Sequence, residues 1–330
     1  MKHFFRWGIF NFVMVFLFIF GFTAQSIAKP LIIKLGHGAQ PGSTYWAAAE
    51  EFGKRANAKL GDKAKIEVYG SAQLGKDIDL LKKLKMGTVE LSELGTVMSS
   101  VSDMFGVFEM PYLVKDRNHL RKIRDQLFWS KIAPTFEPKG YKILALWENG
   151  IRHITNNIRP IIGPDDLKDI KLRVPKGVWR VKMFKAYGAN PTPMAYSEVF
   201  MALQTGVIDG EENPLAQIYA AKFQEVQKYL SLSGHVYNPT VLAAGLKTWN
   251  GLPADVREII KETALEVQDF ALDYGEKLDR ELLVKLKKDL EINEVNKDLF
   301  IKGSRAIYEE FDRSVPGGKE LIEQAQALAQ

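Results

Sequence analysis

This chain has no cysteine. Disulfides, thiol nucleophiles, cysteine-ligated metals and a cysteine-borne lipid anchor are therefore excluded, and stability has to come from an ordinary core. Histidine is scarce too: His3, His37, His119, His153 and His235 are scattered, with no helical partner at metal-binding spacing. Neither His-Glu-x-x-His nor Gly-x-Ser-x-Gly occurs. An excess of one charge is also missing. The formal net charge is +5, with acids and bases interspersed, too mild a balance to imply a nucleic-acid partner. Beyond residue 28 no long apolar run occurs, so the mature chain is expected to be soluble.

What is present begins with a leader. Lys2, His3 and Arg6 precede an apolar run over residues 12–22, and Ser26-Ile27-Ala28 supplies a small-x-small site before Lys29-Pro30. This pattern predicts a secretory signal peptide over 1–28 rather than a retained anchor, for which the run is short. Its removal takes two positive charges, leaving +3.

The stretch 172–214 organises the rest. Ile170, Leu172 and Val174 alternate with Lys171 and Arg173, and Pro175 ends the run. Period two reads as a strand, which carries Arg173 to the end of a sheet. In open α/β sheets the carboxyl ends of strands face the ligand crevice. A guanidinium there either clamps a carboxylate in two contacts or sits in a solvated edge salt bridge.

In chain order, 31–36 reads as a first strand running into Gly36-His37-Gly38-Ala39-Gln40-Pro41-Gly42. This loop misses the dinucleotide fingerprint, because proline stands where the third glycine belongs. His37 is then a locally satisfied loop residue or a rim contact. A helix over 46–59 capped by Ser43 or Thr44, a strand over 64–69 and a helix over 77–85 follow. Strands are predicted over 88–91 and 141–147, with a turn at Glu148-Asn149-Gly150 and then Arg152. After Pro175 come an amphipathic stretch over 178–187, an extended passage over 188–194 and a helix over 198–205 capped by Ser197. Next are a strand over 207–213, a helix over 215–229 and a long helix from 253 to about 288.

Two segments share one layout of helix, glycine stop, short strand and acid. Gly87 is followed by Glu90 and Glu93, and Gly206 by Asp209 and Glu212, 119 residues later. This predicts either two α/β lobes presenting strand ends to one cleft or a chance match. Asp209 and Glu211 are expected to be solvated or paired. Glu93, Glu212 and Asn213 are the better candidates for cleft contacts, with Asp77 at the head of its helix. Trp46, Trp147 and Trp179 lie near strand ends or loops, as core or as ligand wall.

These residues resemble a family, the solute-binding subunits of tripartite ATP-independent periplasmic (TRAP) transporters. The resemblance rests on Asp166-Leu167-Lys168-Asp169-Ile170-Lys171-Leu172-Arg173-Val174-Pro175 and Pro191-Thr192-Pro193-Met194-Ala195-Tyr196-Ser197-Glu198-Val199. It continues through the run from Ala202 to Pro214, and more weakly at Ser71–Gly75 and Asn149–Asn156. It implies an α/β, two-lobed periplasmic binding protein with a ligand cleft between lobes, crossing strands and a long bracing helix. Lobe I would be 29–149 plus 239–280 and lobe II 150–238 plus 281–330. It implies a monomer in the periplasm, without catalytic residue, cofactor or metal, that hands a carboxylate to membrane permease subunits. Arg173 matches the carboxylate-binding arginine, Arg152 a second arginine, Asn213 an asparagine at the carboxylate, Tyr196 an aromatic packed on the ligand, and Glu93 an acid for ligand polar groups. Thr96 and Gly38 stand where sialic-acid-binding members carry arginine and asparagine, which argues against sialic acid. Trp147, His37, Asp77 and Glu212 complete the candidate ligand contacts. The competing reading is an exported dehydrogenase-like α/β enzyme, and a third is a periplasmic ligand sensor.

Overall fold

The computed structural model describes residues 30–329, so the signal-peptide expectation over 1–28 lies outside the described residues. Nine strands form in chain order: β1 Leu31–Gly36, β2 Ala64–Tyr69, β3 Leu91–Leu94, β4 Tyr141–Asn156, β5 Lys171–Val174, β6 Asn190–Pro193, β7 Gly210–Pro214, β8 Tyr229–Gly245 and β9 Glu291–Glu294. The helices are α1 Thr44–Leu60, α2 Asp77–Met86, α3 Arg117–Ile123, α4 Val178–Ala186, α5 Val199–Gln204, α6 Leu215–Ala220, α7 Leu246–Gly251, α8 Ala254–Leu286, α9 Lys297–Gly303, α10 Arg305–Ser314 and α11 Gly318–Ala327.

The sheet runs β2-β1-β3-β8-β4-β7-β5-β6, with β9 on β8. Its centre is the antiparallel pair of long strands, β4 and β8, which belong to both halves. On one side β3 is parallel to β1 and antiparallel to β8. On the other, β7 is parallel to β5 and antiparallel to β4. One arrangement therefore occurs twice, about the crossing strands.

The repeated segments share their geometry in detail. Gly87 and Gly206 cap their helices in the left-handed region, with φ of 74° and 71°, a conformation open to glycine at little cost. Each donates its N–H to the carbonyl three residues back, at 3.2 Å in both cases. The chain needs the next three residues to turn back to the sheet. β3 and β7 consequently begin at Leu91 and Gly210, later than the strands expected from 88 and 207. In those turns Glu90 accepts from the Lys34 N–H and Asp209 from the Lys171 N–H, both at 2.8 Å. Asp209 is thus tied to the neighbouring strand rather than left in solvent.

Other expectations shift for tertiary reasons. The turn expected at 148–150 is instead a bulge inside β4, where Asn149 is the extra residue between Glu148↔Pro239 and Gly150↔Asn238. Gly150 adopts φ 127° there. The helix expected over 215–229 stops at Ala220, and residues from Tyr229 join β8 instead. Ser197 caps nothing: it lies inside a short 3-10 turn, Tyr196–Glu198. Ser43 does cap α1, accepting from the Trp46 N–H at 3.2 Å.

Apolar burial forms three clusters. One joins β1, α1, β2 and the first part of α8; another joins α5, α6 and the last part of α8. α8 thus braces both halves, as its length suggests. The third and largest runs from α2 and the 103–139 segment through α4 to α10 and α11, so the C-terminal tail packs on residues of both halves rather than on one lobe. No described helix is long and apolar enough to cross a membrane.

Candidate functional site

The strand ends surround a half-open cavity, about 460 Å³ with its open mouth included. β5 brings Arg173 to it, β4 brings Asn149 and Arg152, β7 brings Asn213 and β8 brings Asn238. Asn149 and Arg152 are three apart, so a regular strand would send them to opposite faces. Asn149 is the bulge residue, and Arg152, registered opposite Pro214 on the Glu212 side, reaches the cavity by its long side chain. From the other half come Asp77, at the head of α2, and Thr96. Tyr196 and Gln217 complete one side.

Arg173 is 3% exposed. Its Nε and Nη2 both donate to the Met194 carbonyl, at 3.0 and 2.8 Å, which fixes the plane of the guanidinium. Its Nη1 has no hydrogen-bond partner within the protein among the described residues. Burial draws the Arg173 pKa down to about 10, opposed chiefly by the Glu211 charge, so the group stays cationic at neutral pH. Glu211 is fully buried near this guanidinium, bonded to Asn213 Nδ2 and to Thr155 Oγ1 at 3.0 Å. Burial pushes its pKa up to about 7, despite the Asn213 hydrogen bond and the Arg173 charge. Glu211 was expected to be solvated or paired; it is paired, and its full burial corrects the solvated alternative. Desolvation likewise raises Asp77 to about 6 against the pull of Arg173.

Arg152 is held differently. Its Nε meets Glu212 Oε2 at 2.5 Å, its Nη2 meets Oε1 and the Glu212 carbonyl, and its Nη1 reaches Asn238 Oδ1 at 3.4 Å. Arg180 adds Nη1 to Glu212 Oε2 at 2.7 Å and Nε to Glu109 Oε2 at 3.0 Å, while His235 Nε2 lies 3.0 Å from Glu212. Burial opposes ionisation of Glu212, yet the charges of Arg152 and Arg180 hold it well below the usual carboxylate range. Glu212 is thus a clamp behind the cavity, not a part of its wall. Alternation along β7 explains this: Glu211 and Asn213 share one face and Glu212 takes the other.

Three further expectations are corrected. Trp147 is a core residue, 1% exposed, tilted against Phe52 at 5.7 Å and donating from Nε1 to the Ala264 carbonyl at 2.9 Å. Glu93 does not line the cavity; its Oε1 accepts from Thr240 Oγ1 at 2.7 Å, and burial pushes its carboxyl well above the usual range. His37 is fully buried behind Gly38 and Ala39, 5.8 Å from the Tyr45 ring and edge-on to Trp46 at 5.2 Å. Its Nδ1 accepts from the Ala39 N–H at 3.2 Å, so it shapes the loop from within. Tyr196 lines the cavity, but its hydroxyl donates to the Gln217 carbonyl at 2.7 Å rather than standing free. Sequence reasoning missed Gln217 and Asn238 altogether. The only signal near them is the Asn-Pro pair at 238–239, which favours extended backbone and says nothing of the side chain.

His37 carries a pH prediction. Burial lowers its pKa from 6.5 to about 4, so the native chain keeps it neutral while the unfolded chain protonates below 6.5. The associated stability is full above that value and is lost as pH falls towards 4, by on the order of 3 kcal/mol. In His37→Asn, the Oδ1 still accepts from Ala39 but does not titrate. Urea unfolding at pH 7.5 and pH 5 should show wild type losing about 2 kcal/mol relative to the variant. An unchanged gap between the two proteins counts against neutral burial.

The family model for bacterial extracellular solute-binding protein, family 7, matches residues 35–314. The C4-dicarboxylate-binding periplasmic protein DctP of Rhodobacter capsulatus is 34% identical over 254 residues, 76% of this chain and 75% of its own length. The sialic acid-binding periplasmic protein SiaP of Vibrio cholerae is 32% identical over 311 residues, covering 93% of this chain and 95% of its own. A TRAP periplasmic solute-binding protein from Haemophilus influenzae, solved with bound L-gulonate, superposes with a TM-score of 0.86 at 33% identity, covering 90% of this chain and 99% of that one. With this likeness over nearly all of the described residues, and an arginine-bearing cavity between two halves of a shared sheet, the chain belongs to the family 7 solute-binding proteins of TRAP transporters.

Proposed function

We propose that Arg173 takes the carboxylate of a small organic acid on the guanidinium edge that Met194 leaves free. Proteins of this family bind small carboxylates and work with TRAP permease subunits. For this chain, the observation that carries the reading is the buried, backbone-oriented Arg173 on the cavity where the two halves of the sheet meet. Asn213 and Arg152 sit beside the carboxylate, Tyr196 packs on the ligand body and Asp77 faces it from the other half. The protein acts in the periplasm as a carrier rather than an enzyme. The lobes are 29–149 plus 239–280 and 150–238 plus 281–330, and they close over the ligand by bending where β4 bulges at Asn149 against Asn238. The irregular pairing at that point supports this boundary.

A thermal-shift screen of organic acids, with mass spectrometry of ligand released from the purified protein, tests the reading. A carboxylate that raises the melting temperature in proportion to the logarithm of its concentration is expected. Stabilisation by a nicotinamide dinucleotide and by no acid would overturn it in favour of the dehydrogenase-like alternative.

A further inference from the structure

The relatives point to chemically different acids, one protein named for C4-dicarboxylates and another holding L-gulonate. Amide groups on the cavity decide between these classes for this chain. The starting point is Arg152, which has only donors. Its Nη1 reaches one atom of the Asn238 amide at 3.4 Å, so that atom is the oxygen. Thr96 Oγ1 and Asn149 Nδ2 also donate to it, each at 3.3 Å. With its nitrogen used there, Asn149 presents its oxygen to Gln217 Nε2 at 2.9 Å. One guanidinium thereby fixes the orientation of three amides in a row.

Two atoms are left over at the ends of this row. Asn238 Nδ2, a donor, and Gln217 Oε1, an acceptor, are buried without a hydrogen-bond partner among the described residues. Both side chains line the cavity and are 1% and 4% exposed. A carboxylate can satisfy the donor but has no proton for the acceptor. A hydroxyl offers one of each. The Asp77 carboxylate on the same cavity is also an acceptor for a hydroxyl. Contacts point the same way: the Arg152 guanidinium is engaged by Glu212 and Asn238, whereas Arg173 keeps an edge free for one ligand carboxylate.

We propose that the row Gln217–Asn149–Asn238 reads ligand hydroxyls, so that the cavity selects a hydroxylated monocarboxylic acid over a dicarboxylate of the same length. This rests on the capture of a carboxylate by Arg173. A site with buried polar groups rejects an analogue that leaves them unpaired far more strongly than an apolar pocket rejects a missing methylene.

Isothermal titration with two matched sets tests it: L-gulonate, hexanoate and adipate, and D-erythronate, butanoate and succinate. In at least one set the hydroxylated acid should bind at least about tenfold tighter than both of its partners. Gln217→Met removes the free acceptor, and Asn238→Asp replaces the free donor while keeping the oxygen that Arg152 holds. Each should weaken the hydroxylated acid by at least about tenfold, with the melting temperature of the ligand-free variant reporting on folding. If a dicarboxylate binds as tightly as the hydroxylated acid, or if both variants, folded, bind the hydroxylated acid like wild type, the proposal is overturned. Abolition of all binding by Arg173→Ala would then leave carboxylate capture standing. Wild type that binds none of the six acids overturns both.

Discussion

Arg173→Ala is expected to lose most organic-acid affinity: removing the cation from a buried site costs on the order of 2–5 kcal/mol, about 30- to 5,000-fold in affinity. Arg173→Lys is expected to lose most of the same affinity. The guanidinium satisfies the Met194 carbonyl with Nε and Nη2 while another edge remains for the ligand. An ammonium is a compact charge on a flexible stem and does not reproduce that fork. Folding should survive both changes, because Arg173 is one member of a group that includes Glu211, whose pKa already sits near 7 and which can take a proton when the cation is lost. Titration of the purified variants with an acid that the wild-type protein binds reads the effect. A lysine variant with undiminished affinity would show that simple charge, not the fork, does the binding.

The second large effect is on stability. Glu212 neutralises Arg152 and Arg180 and accepts from His235 in a region where none of these side chains is more than 2% exposed. Glu212→Gln leaves two buried cations short of one compensating charge, which costs on the order of 3–5 kcal/mol. For a chain of this size the melting temperature should fall by roughly 6–15 °C. Ligand affinity should fall with it, since Arg152 loses the group that aims it. The pH dependence has a definite sign. A carboxylate held below its unfolded pKa contributes its stability above about pH 4.5 and loses it as pH falls further. The deficit of the variant should therefore be greatest near neutrality and shrink in acid. A melting temperature within a degree or two of wild type at pH 7 would mean that water or a neighbouring acid already neutralises the arginines.

Much of the fold was legible because it follows from local pattern. Period-two alternation placed β5 and β2, the apolar stripe and glycine stop placed α2, and the length of the helical pattern after Pro253 announced α8. The helix–glycine–strand–acid layout, read twice from sequence, recurs in the structure with the same cap hydrogen bonds and the same 2.8 Å contact from acid to neighbouring strand. Errors arose where a residue or two of offset decides which way a side chain points. Glu211 is buried beside Arg173 and Glu212 is buried against Arg152 and Arg180 rather than in the cleft, and the Glu148-Asn149-Gly150 turn is a bulge that turns Asn149 inward. Trp147 lies inside β4, which runs on past its expected end, and His37 and Glu93 lie near strand ends, yet packing from α1 and α8 or from β8 takes all three out of the cavity.

By itself the sequence determined a cysteine-free α/β core, a family likeness and an arginine at the end of a strand, and it carries the pattern expected of an export leader, all properties of short contiguous stretches. Only the tertiary structure decided which acid meets which arginine and which amides line the cavity. Arg152 meets Glu212 across 60 residues and Asn238 across 86, while Thr240 meets Glu93 across 147. Asparagine and glutamine carry no periodic signature, and a buried charge takes its role from whatever partner the fold brings within hydrogen-bond reach. The proposed specificity therefore rests on the register of the crossing strands.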